Sequence, residues 1–228
     1  MFGDPVSNPK GWPEKALGDL ADLASGVTKG KRYEEVKTIS LPYMRVANVQ
    51  DGHLVLDDVA SITVSEHDAQ RYLLRAGDVL LTEGGDPDKL GRGAVWRGEV
   101  DPCIHQNHIF RVRPNGAVLS EYLSALIGSQ RGKRYFLRAS KQTTGIATIN
   151  MTQLKAFPTL VPPRDVQENY VALLARCRVA QEHQQIAARR VQGLFDSLVQ
   201  GAFSERAQRR FGQEELAVFD EGASDVRP

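Results

Sequence analysis

The chain has 228 residues, 41% of them hydrophobic and 25% charged, a balance that supports a buried core and excludes a largely disordered protein. That length accommodates one good-sized domain with an appendage, or two small domains. A formal net charge of +1 by itself argues against a phosphate-binding surface, yet the charges are unevenly spread. Between Glu121 and Asp165 there is no acid, while Arg131, Lys133, Arg134, Arg138, Lys141, Lys155 and Arg164 all fall in that stretch. Acids gather instead at Asp51, Asp57, Asp58, Glu66, Asp68, Asp78, Glu83, Asp86 and Asp88, which predicts one basic and one acidic face. A solvated helix surface is the alternative reading of the basic run. No apolar run approaches the roughly 20 residues that a spanning helix needs. Met1 leads into Gly3, Asp4 and Pro5 instead of a signal segment, so a cytoplasmic protein without membrane contact is expected. Cys103 and Cys177 lack paired spacing and are expected as reduced thiols.

Taken in chain order, Asn8-Pro9-Lys10-Gly11-Trp12-Pro13 predicts an opening loop anchored by Trp12. Leu17, Leu20, Ala21, Leu23 and Ala24 fit a short amphipathic helix ended by Gly26, before a basic, mobile loop containing Lys29, Lys31 and Arg32. Residues 41–49 read as a strand, and Gln50-Asp51-Gly52-His53 as a hairpin turn into a strand at 54–56. Further strands are expected at 61–64, 78–82, 93–96 and 108–112. From 119 to 137 the pattern is helical, with Leu119, Tyr122, Leu123, Leu126 and Ile127 on one face and a break at Gly128 or Gly132. A helical turn at Thr152-Gln153-Leu154 and a last strand at 157–161 precede Pro162-Pro163, where a domain of residues 1–163 should end.

Asp165 with Glu168 three residues later is a helix-capping pattern. Beyond it Val166, Tyr170, Leu173, Cys177, Ala180, Gln184, Ala187, Val191, Leu194 and Leu198 recur in steps of four and three, a heptad seam held over about five heptads. Such a helix would span about 50 Å. Its two-in-seven seam is narrower than the stripe of a helix packed on its own domain, so a coiled coil is expected. Ala180 and Ala187 admit a close partner backbone, and Gln184 is the kind of polar seam residue that fixes register. The spacer and dimerisation helix is assigned to residues 164–204 and a flexible tail to 205–228, which is acidic and rich in small residues from Glu214 onward. No internal repeat or low-complexity tract is present.

The sequence contains no G-x-x-x-x-G-K-[ST], H-E-x-x-H or G-x-S-x-G. No catalytic residue, cofactor or enzymatic activity of its own is therefore predicted. The glycine-rich stretch 84–93 has the wrong spacing for a phosphate loop, and its acids would repel phosphate; a long hairpin is expected. Pro87-Asp88 and Glu35-Val36-Lys37 are fragments that do not follow the usual nuclease order. Cys103, His105 and His108 lack a fourth zinc ligand, so no metal site is predicted and a buried thiol with two polar histidines is expected. His105-Gln106-Asn107-His108 supplies donors and acceptors on short stems, which suits base reading, with a self-satisfied turn as the alternative. Lys141-Gln142-Thr143-Thr144 places Gln beside Lys and Thr, fit to meet an adenine edge and neighbouring phosphates together. Lys29, Lys31, Arg32, Arg45, Asn48, Lys89 and Arg92, on predicted loops or strand ends, would complete one DNA-facing surface if the fold brings them to the same side.

Several segments, in their order, carry a resemblance. They are Met1-Phe2-Gly3-Asp4-Pro5 with Asn8-Pro9-Lys10-Gly11-Trp12; Pro42-Tyr43-Met44-Arg45-Val46-Ala47-Asn48-Val49; Gly77-Asp78-Val79-Leu80; and Gln106-Asn107-His108-Ile109-Phe110. Thr143-Thr144-Gly145 leading to Ile149-Asn150, Phe157-Pro158, Pro162-Pro163 with Gln167, and Leu194-Phe195-Asp196-Ser197-Leu198 complete the set. Over nearly its whole length the chain resembles the specificity subunits of type I restriction-modification systems. The resemblance implies an α+β fold: a mixed α/β target-recognition domain followed by a long C-terminal helix that forms an antiparallel coiled coil. A full subunit of that family carries two recognition domains and two such helices, each domain reading half of a split target, whereas this chain has one of each. It therefore implies a homodimer, pairing with a second half-subunit, or the product of a truncated or split gene. The implied partners are double-stranded DNA, a methyltransferase subunit that uses S-adenosylmethionine on adenine, and an ATP-dependent restriction subunit. Lys and Arg would grip phosphates, and His105, Gln106, Asn107, Gln142 and Thr144 would contact bases in the major groove. Two other readings compete: a protein-interaction module with a basic patch, and the recognition portion of a split or fused methyltransferase-nuclease.

Overall fold

The computed structural model describes residues 1–33, 36–85, 90–143 and 146–220, and the side chains of these except 141–143, 146 and 204–220. The chain divides into two compact units, Met1–Ala172 and Leu173–Pro228.

In the first unit β1 (Glu14–Ala16) passes through the single-turn α1 (Leu17–Leu20) into β2 (Ala21–Ser25). β3 (Thr38–Met44) is followed by a 3-10 turn at Val46–Asn48, then by β4 (Ala60–Ser65) and α2 (Glu66–Arg71). Next come β5 (Val79–Thr82), β6 (Gly84–Gly85), β7 (Gly93–Val95), β8 (Ile104–His105) and β9 (Ile109–Pro114). Two helices, α3 (Ser120–Gly128) and α4 (Gln130–Ala139), lead to β10 (Lys141–Thr143) and β11 (Ile146–Thr148). The short α5 (Met151–Lys155), β12 (Pro158–Leu160) and the long α6 (Arg164–Asp220) complete the order. The architecture is α+β. Its strands run in the orders β2-β9-β5-β7, β4-β3-β8, β10-β11-β6 and β1-β12.

β5 reads Val-Leu-Leu-Thr and is buried along its length, as a strand covered on both faces must be. Val79 and Leu81 face a core shared with Leu123, Ile127, Phe136 and Phe157, while Leu80 faces a second cluster with Met44, Trp96 and Ile109. A third cluster gathers Leu41, Tyr43, Val64 and Ile104 around the β4-β3-β8 sheet. β5 and β7 form the arms of the long hairpin expected around the glycine-rich stretch, pairing from Val79↔Val95 to Leu81↔Gly93.

Several sequence expectations are corrected. The helix expected over 17–24 is one turn long, because Ala21–Ser25 pairs with β9 from Ala21↔Pro114 to Ser25↔Phe110. A short isolated helix cannot compete with a full ladder of that kind. The strand expected over 41–49 ends at Met44, where the buried Asn48 side chain turns the chain by accepting from Arg45 N–H and donating to the Val55 and Asp58 carbonyls. The turn at 50–53 forms, with Gln50 N–H donating to His53 O, but only the single bridge Val49↔Leu54 follows it. The break in the basic helical segment lies at Ser129. Gly132 instead sits inside α4, where a Cβ would lie 1.8 Å from Ile127 O, so it is the lack of a side chain that lets the helices pack. α6 continues to Asp220, over the first part of the segment expected as a flexible tail; that part is rich in Glu, Gln, Arg and Ala, which favour helix. The rest of that tail, 221–228, lies outside the described residues.

The first turns of α6 belong to the globular unit. Gln167 is buried, accepts from Leu119 N–H at 2.8 Å and donates to Pro162 O at 2.9 Å. Tyr170 meets Phe2 edge-on at 5.2 Å, and Phe2 in turn meets Tyr122 at 4.8 Å. Val166 and Tyr170 are half-buried there, so the first two positions assigned to the dimerisation seam serve the domain. The remaining positions, from Leu173 to Leu198, lie in the second unit.

Phe136 is fully buried and stacks on Phe157 with centroids 5.2 Å apart. Gly91, at φ +69°, approaches it so closely that a Cβ would meet the ring at 2.7 Å. Phe136→Ala is expected to lower unfolding free energy by about 3–5 kcal/mol, measured by urea titration of the full chain.

Candidate nucleic-acid interface

The turn between β8 and β9 is held by backbone bonds from two directions. Val27 N–H donates to His105 O at 2.8 Å, Asn107 N–H to Val27 O at 2.9 Å, and Gln106 N–H to Met44 O at 3.0 Å. Gly26 makes this possible, since a Cβ there would stand 2.0 Å from His105 O. The loop that begins at Gly26 is thereby fixed beside the turn at 105–108.

Within that turn the two histidines separate. His105, expected as a base contact, is fully buried, its Nδ1 is 3.0 Å from Ile109 O and its Nε2 has no hydrogen-bond partner. Burial pushes its pKa down to about 4, with the nearby Arg111 guanidinium adding to the effect. It is a neutral core histidine and is not offered to a duplex. β8 pairs with β3 in the interior, Met44 opposite His105, and that pairing decides its fate. His108, part of the same candidate loop but not among the residues assigned base contacts, is exposed, and its Nδ1 lies 2.6 Å from Glu83 Oε2. Nothing in the local sequence distinguishes two histidines three positions apart; only the tertiary pairing does. Gln106 and Asn107 are half-buried, and Gln106 Oε1 accepts from Val46 N–H at 3.4 Å. Cys103 is buried, and burial pushes its thiol up to about 12. Among the described residues no group of three or more His, Cys, Asp or Glu could hold a metal ion.

The basic candidates divide in the same way. Asn48 is buried, and Arg45 is held by Asp58, donating to its carboxylate at 2.7 Å and its carbonyl at 2.9 Å. Both shape the 45–58 loop, Asn48 from a buried position and Arg45 with its side chain still 33% exposed. Arg131 braces three segments, donating to Pro158 O, to Pro5 O and to the Glu14 carboxylate. Its side chain is 12% exposed, so it is removed from the DNA-facing set. Arg92 is half-buried and donates to Gln50 Oε1 at 3.2 Å. Lys29, Arg32, Lys133, Arg134 and Arg138 remain exposed. Lys133 reaches Asp51 at 3.5 Å, which sets the outer face of α4 beside the turn at 50–53.

Backbone pairing joins these pieces into one rim. Glu83 N–H donates to His108 O at 3.0 Å and Ile149 N–H to Glu83 O at 2.9 Å. β11 then pairs with β6 and with β10, the strand that follows α4. Val27, where the loop of Lys29 and Arg32 begins, the turn 106–108 and the β6-β11-β10 sheet are therefore linked in series, and α4 leads directly into β10. Lys141, Gln142 and Thr143 have their backbone on that edge, while their side chains, together with Lys89 and Thr144, lie outside the described residues.

Lys31 is tied to α2. Its ammonium sits 2.6 Å from Asp68 Oδ2, which also accepts from the Tyr33 hydroxyl at 2.8 Å. The Lys31 hydrogen bond holds the buried Asp68 carboxyl below its ordinary range against the opposing effect of burial, with Tyr33 assisting. Burial and the same contact push Tyr33 up to about 12. A carboxyl whose folded pKa is depressed stabilises the fold in full above its unfolded value, near 3.8, and loses that contribution as pH falls through the folded value. Thermal unfolding of the wild type is therefore expected to drop more steeply below pH 3.8 than that of Asp68→Asn, which has no such proton to take up.

In the second unit Leu173, Val191, Leu194 and Leu198 of the seam are 49%, 67%, 66% and 73% exposed, and Phe195 beside them is 61% exposed. Cys177, Ala180, Gln184 and Ala187 are exposed as well. Among the described residues no helix is long and apolar enough to cross a membrane.

Comparison with known proteins gives a consistent family. The sequence model described as the type I restriction modification DNA specificity domain matches residues 9–187. A putative type I restriction enzyme MjaX specificity subunit of Methanocaldococcus jannaschii is 23% identical over 73% of this chain and 39% of its own length. The type I restriction enzyme StySPI specificity subunit of Salmonella potsdam is 24% identical over 85% of this chain and 42% of its own length. The chain thus spans about two fifths of the length of these curated relatives. Among solved structures, the HsdS subunit from Thermoanaerobacter tengcongensis aligns with 79% of this chain and 39% of its own, at 22% identity and a TM-score of 0.49.

Proposed function

The chain belongs to the family of type I restriction-modification DNA specificity domains, and from that premise we propose that it reads one half of a split DNA target for a cytoplasmic restriction-modification complex. In this reading the chain supplies address and scaffold and has no catalytic centre. A methyltransferase subunit and an ATP-dependent restriction subunit supply the chemistry. The observation that supports it best is the rim itself: a turn rich in hydrogen-bonding side chains, Gln106 to His108, continuous through paired backbone with the exposed Arg134 and Arg138 of α4. Exposed Lys and Arg grip phosphates and set register without reading sequence, whereas short polar side chains on a fixed turn distinguish base edges. Lys141, Gln142, Thr143 and Thr144 are assigned to the same surface from sequence.

The open seam of the second unit supports the assembly half of the proposal. Apolar side chains in a heptad row left in water mark a surface that a partner helix covers. A second copy of this chain in antiparallel orientation is the simplest partner, because one chain with one seam closes as a two-fold pair.

Selection from a randomised duplex pool, with and without the cognate methyltransferase subunit, tests the reading. Two short inverted half-sites at fixed spacing are expected, and no enrichment even with the partner present would overturn DNA reading. Arg134→Ala is expected to weaken binding to all duplexes and lower the slope of log affinity against log salt by about 1, while Gln142→Ala relaxes preference at one position. For assembly, Leu194→Asp is expected to convert a dimer into a monomer in sedimentation analysis; an unchanged mass would place the interface elsewhere.

A further inference from the structure

Three polar side chains at the end of the β5/β9 pairing form a short relay. Glu83 Oε2 is 2.6 Å from His108 Nδ1, and His108 Nε2 is 3.4 Å from Asn107 Nδ2. A carboxylate only accepts, so the hydrogen of a neutral ring resides on Nδ1 and Nε2 becomes an acceptor. That acceptor takes one hydrogen of the Asn107 amide and so fixes which way the amide faces. The second amide N–H and the carbonyl oxygen of Asn107 are left without a hydrogen bond to a described residue.

The backbone beneath this relay has no freedom to adapt. Asn107 N–H donates to Val27 O at 2.9 Å, and Asn107 O accepts from Ser25 Oγ at 2.7 Å. His108 O accepts from Glu83 N–H at 3.0 Å. With both backbone groups of Asn107 engaged, its side chain is held on a rigid base, the arrangement that a recognition site requires.

We propose that Asn107 is the adenine-reading residue of this surface and that Glu83 and His108 are its positioning residues. One donor beside one acceptor in a plane complements the N7 acceptor and N6 donor of adenine in the major groove; guanine presents two acceptors there and leaves the amide oxygen facing a lone pair. This inference rests on the reading of the rim as a DNA surface and gives it a base and an atom pair.

The test uses the full chain and the same duplex selection. The wild-type motif is expected to contain an adenine whose preference, roughly tenfold to a hundredfold, is lost in Asn107→Ala. Affinity for random-sequence DNA, its salt slope and the thermal midpoint should stay unchanged, since the backbone bonds of residue 107 remain. Glu83→Ala is expected to weaken the same position, and Glu83→Gln to restore it, because an amide oxygen still accepts from Nδ1. A wild-type motif kept at every position by Asn107→Ala would overturn the inference while leaving DNA reading intact, and so would loss of preference at a base other than adenine. Failure of the wild type to enrich any motif would overturn both.

Discussion

The register of β5 against β9 is the constraint on which both the core and the rim depend. Val79↔Val112 and Leu81↔Phe110 send four apolar side chains into the main core, and Leu80↔Arg111 and Thr82↔Ile109 send the alternate set to the other face. An acid and a base close the pairing at either end. Asp78 is buried and takes two bonds from the Arg113 guanidinium, at 2.7 and 2.8 Å, while also accepting from Arg75 N–H. At the other end Glu83 meets His108. A slip of one residue would drive Arg111 into the main core and part both pairs, so the hydrophobic pattern and the polar ends specify the same alignment. The rim is thus positioned by the same ladder that builds the core.

Much of the local structure was legible where one residue type dominates its position. The strand at 78–82, the helix face carrying Tyr122, Leu123, Leu126 and Ile127, and the onset of the long helix after Pro162-Pro163 all follow from pattern alone. The departures have a common cause. Residues 21–25 carry helix-like spacing but sit opposite β9, and residues 45–49 carry strand-like composition but are turned by Asn48. Each is decided by a contact outside the pattern of apolar residues: pairing with the distant β9 for 21–25, and the bonds of one side chain to nearby loop carbonyls for 45–49, and neither shows in a periodicity argument.

The candidate surface was legible as a set of segments and much less so residue by residue. The acid-free stretch was read from its charge, but charge does not reveal which cations the fold needs for itself. Arg131 and Arg134 are three residues apart on α4; one is turned inward to brace Pro5, Glu14 and Pro158, and the other stays exposed. His105 and His108 divide in the same sense. A polar residue in a recognition loop is therefore informative only once the backbone beneath it has been accounted for, since the first claim on any donor or acceptor is the folded chain's own unsatisfied groups.

That competition gives the proposed division between grip and reading its physical basis. A cation that contacts phosphate gains from long reach and loose placement, because the backbone it meets is continuous and charge acts over several ångströms. Lys29, Arg32, Arg134 and Arg138, exposed on a loop and a helix face, suit that role. A base edge must instead be met within hydrogen-bond geometry, and a flexible side chain would lose discrimination to the alternatives it could reach. The turn at 106–108 meets that need through short side chains on a backbone fixed by Ser25, Val27, Met44 and Glu83. Rigidity at the turn and looseness at the helix are opposite requirements, and one domain can satisfy both only because different elements carry them.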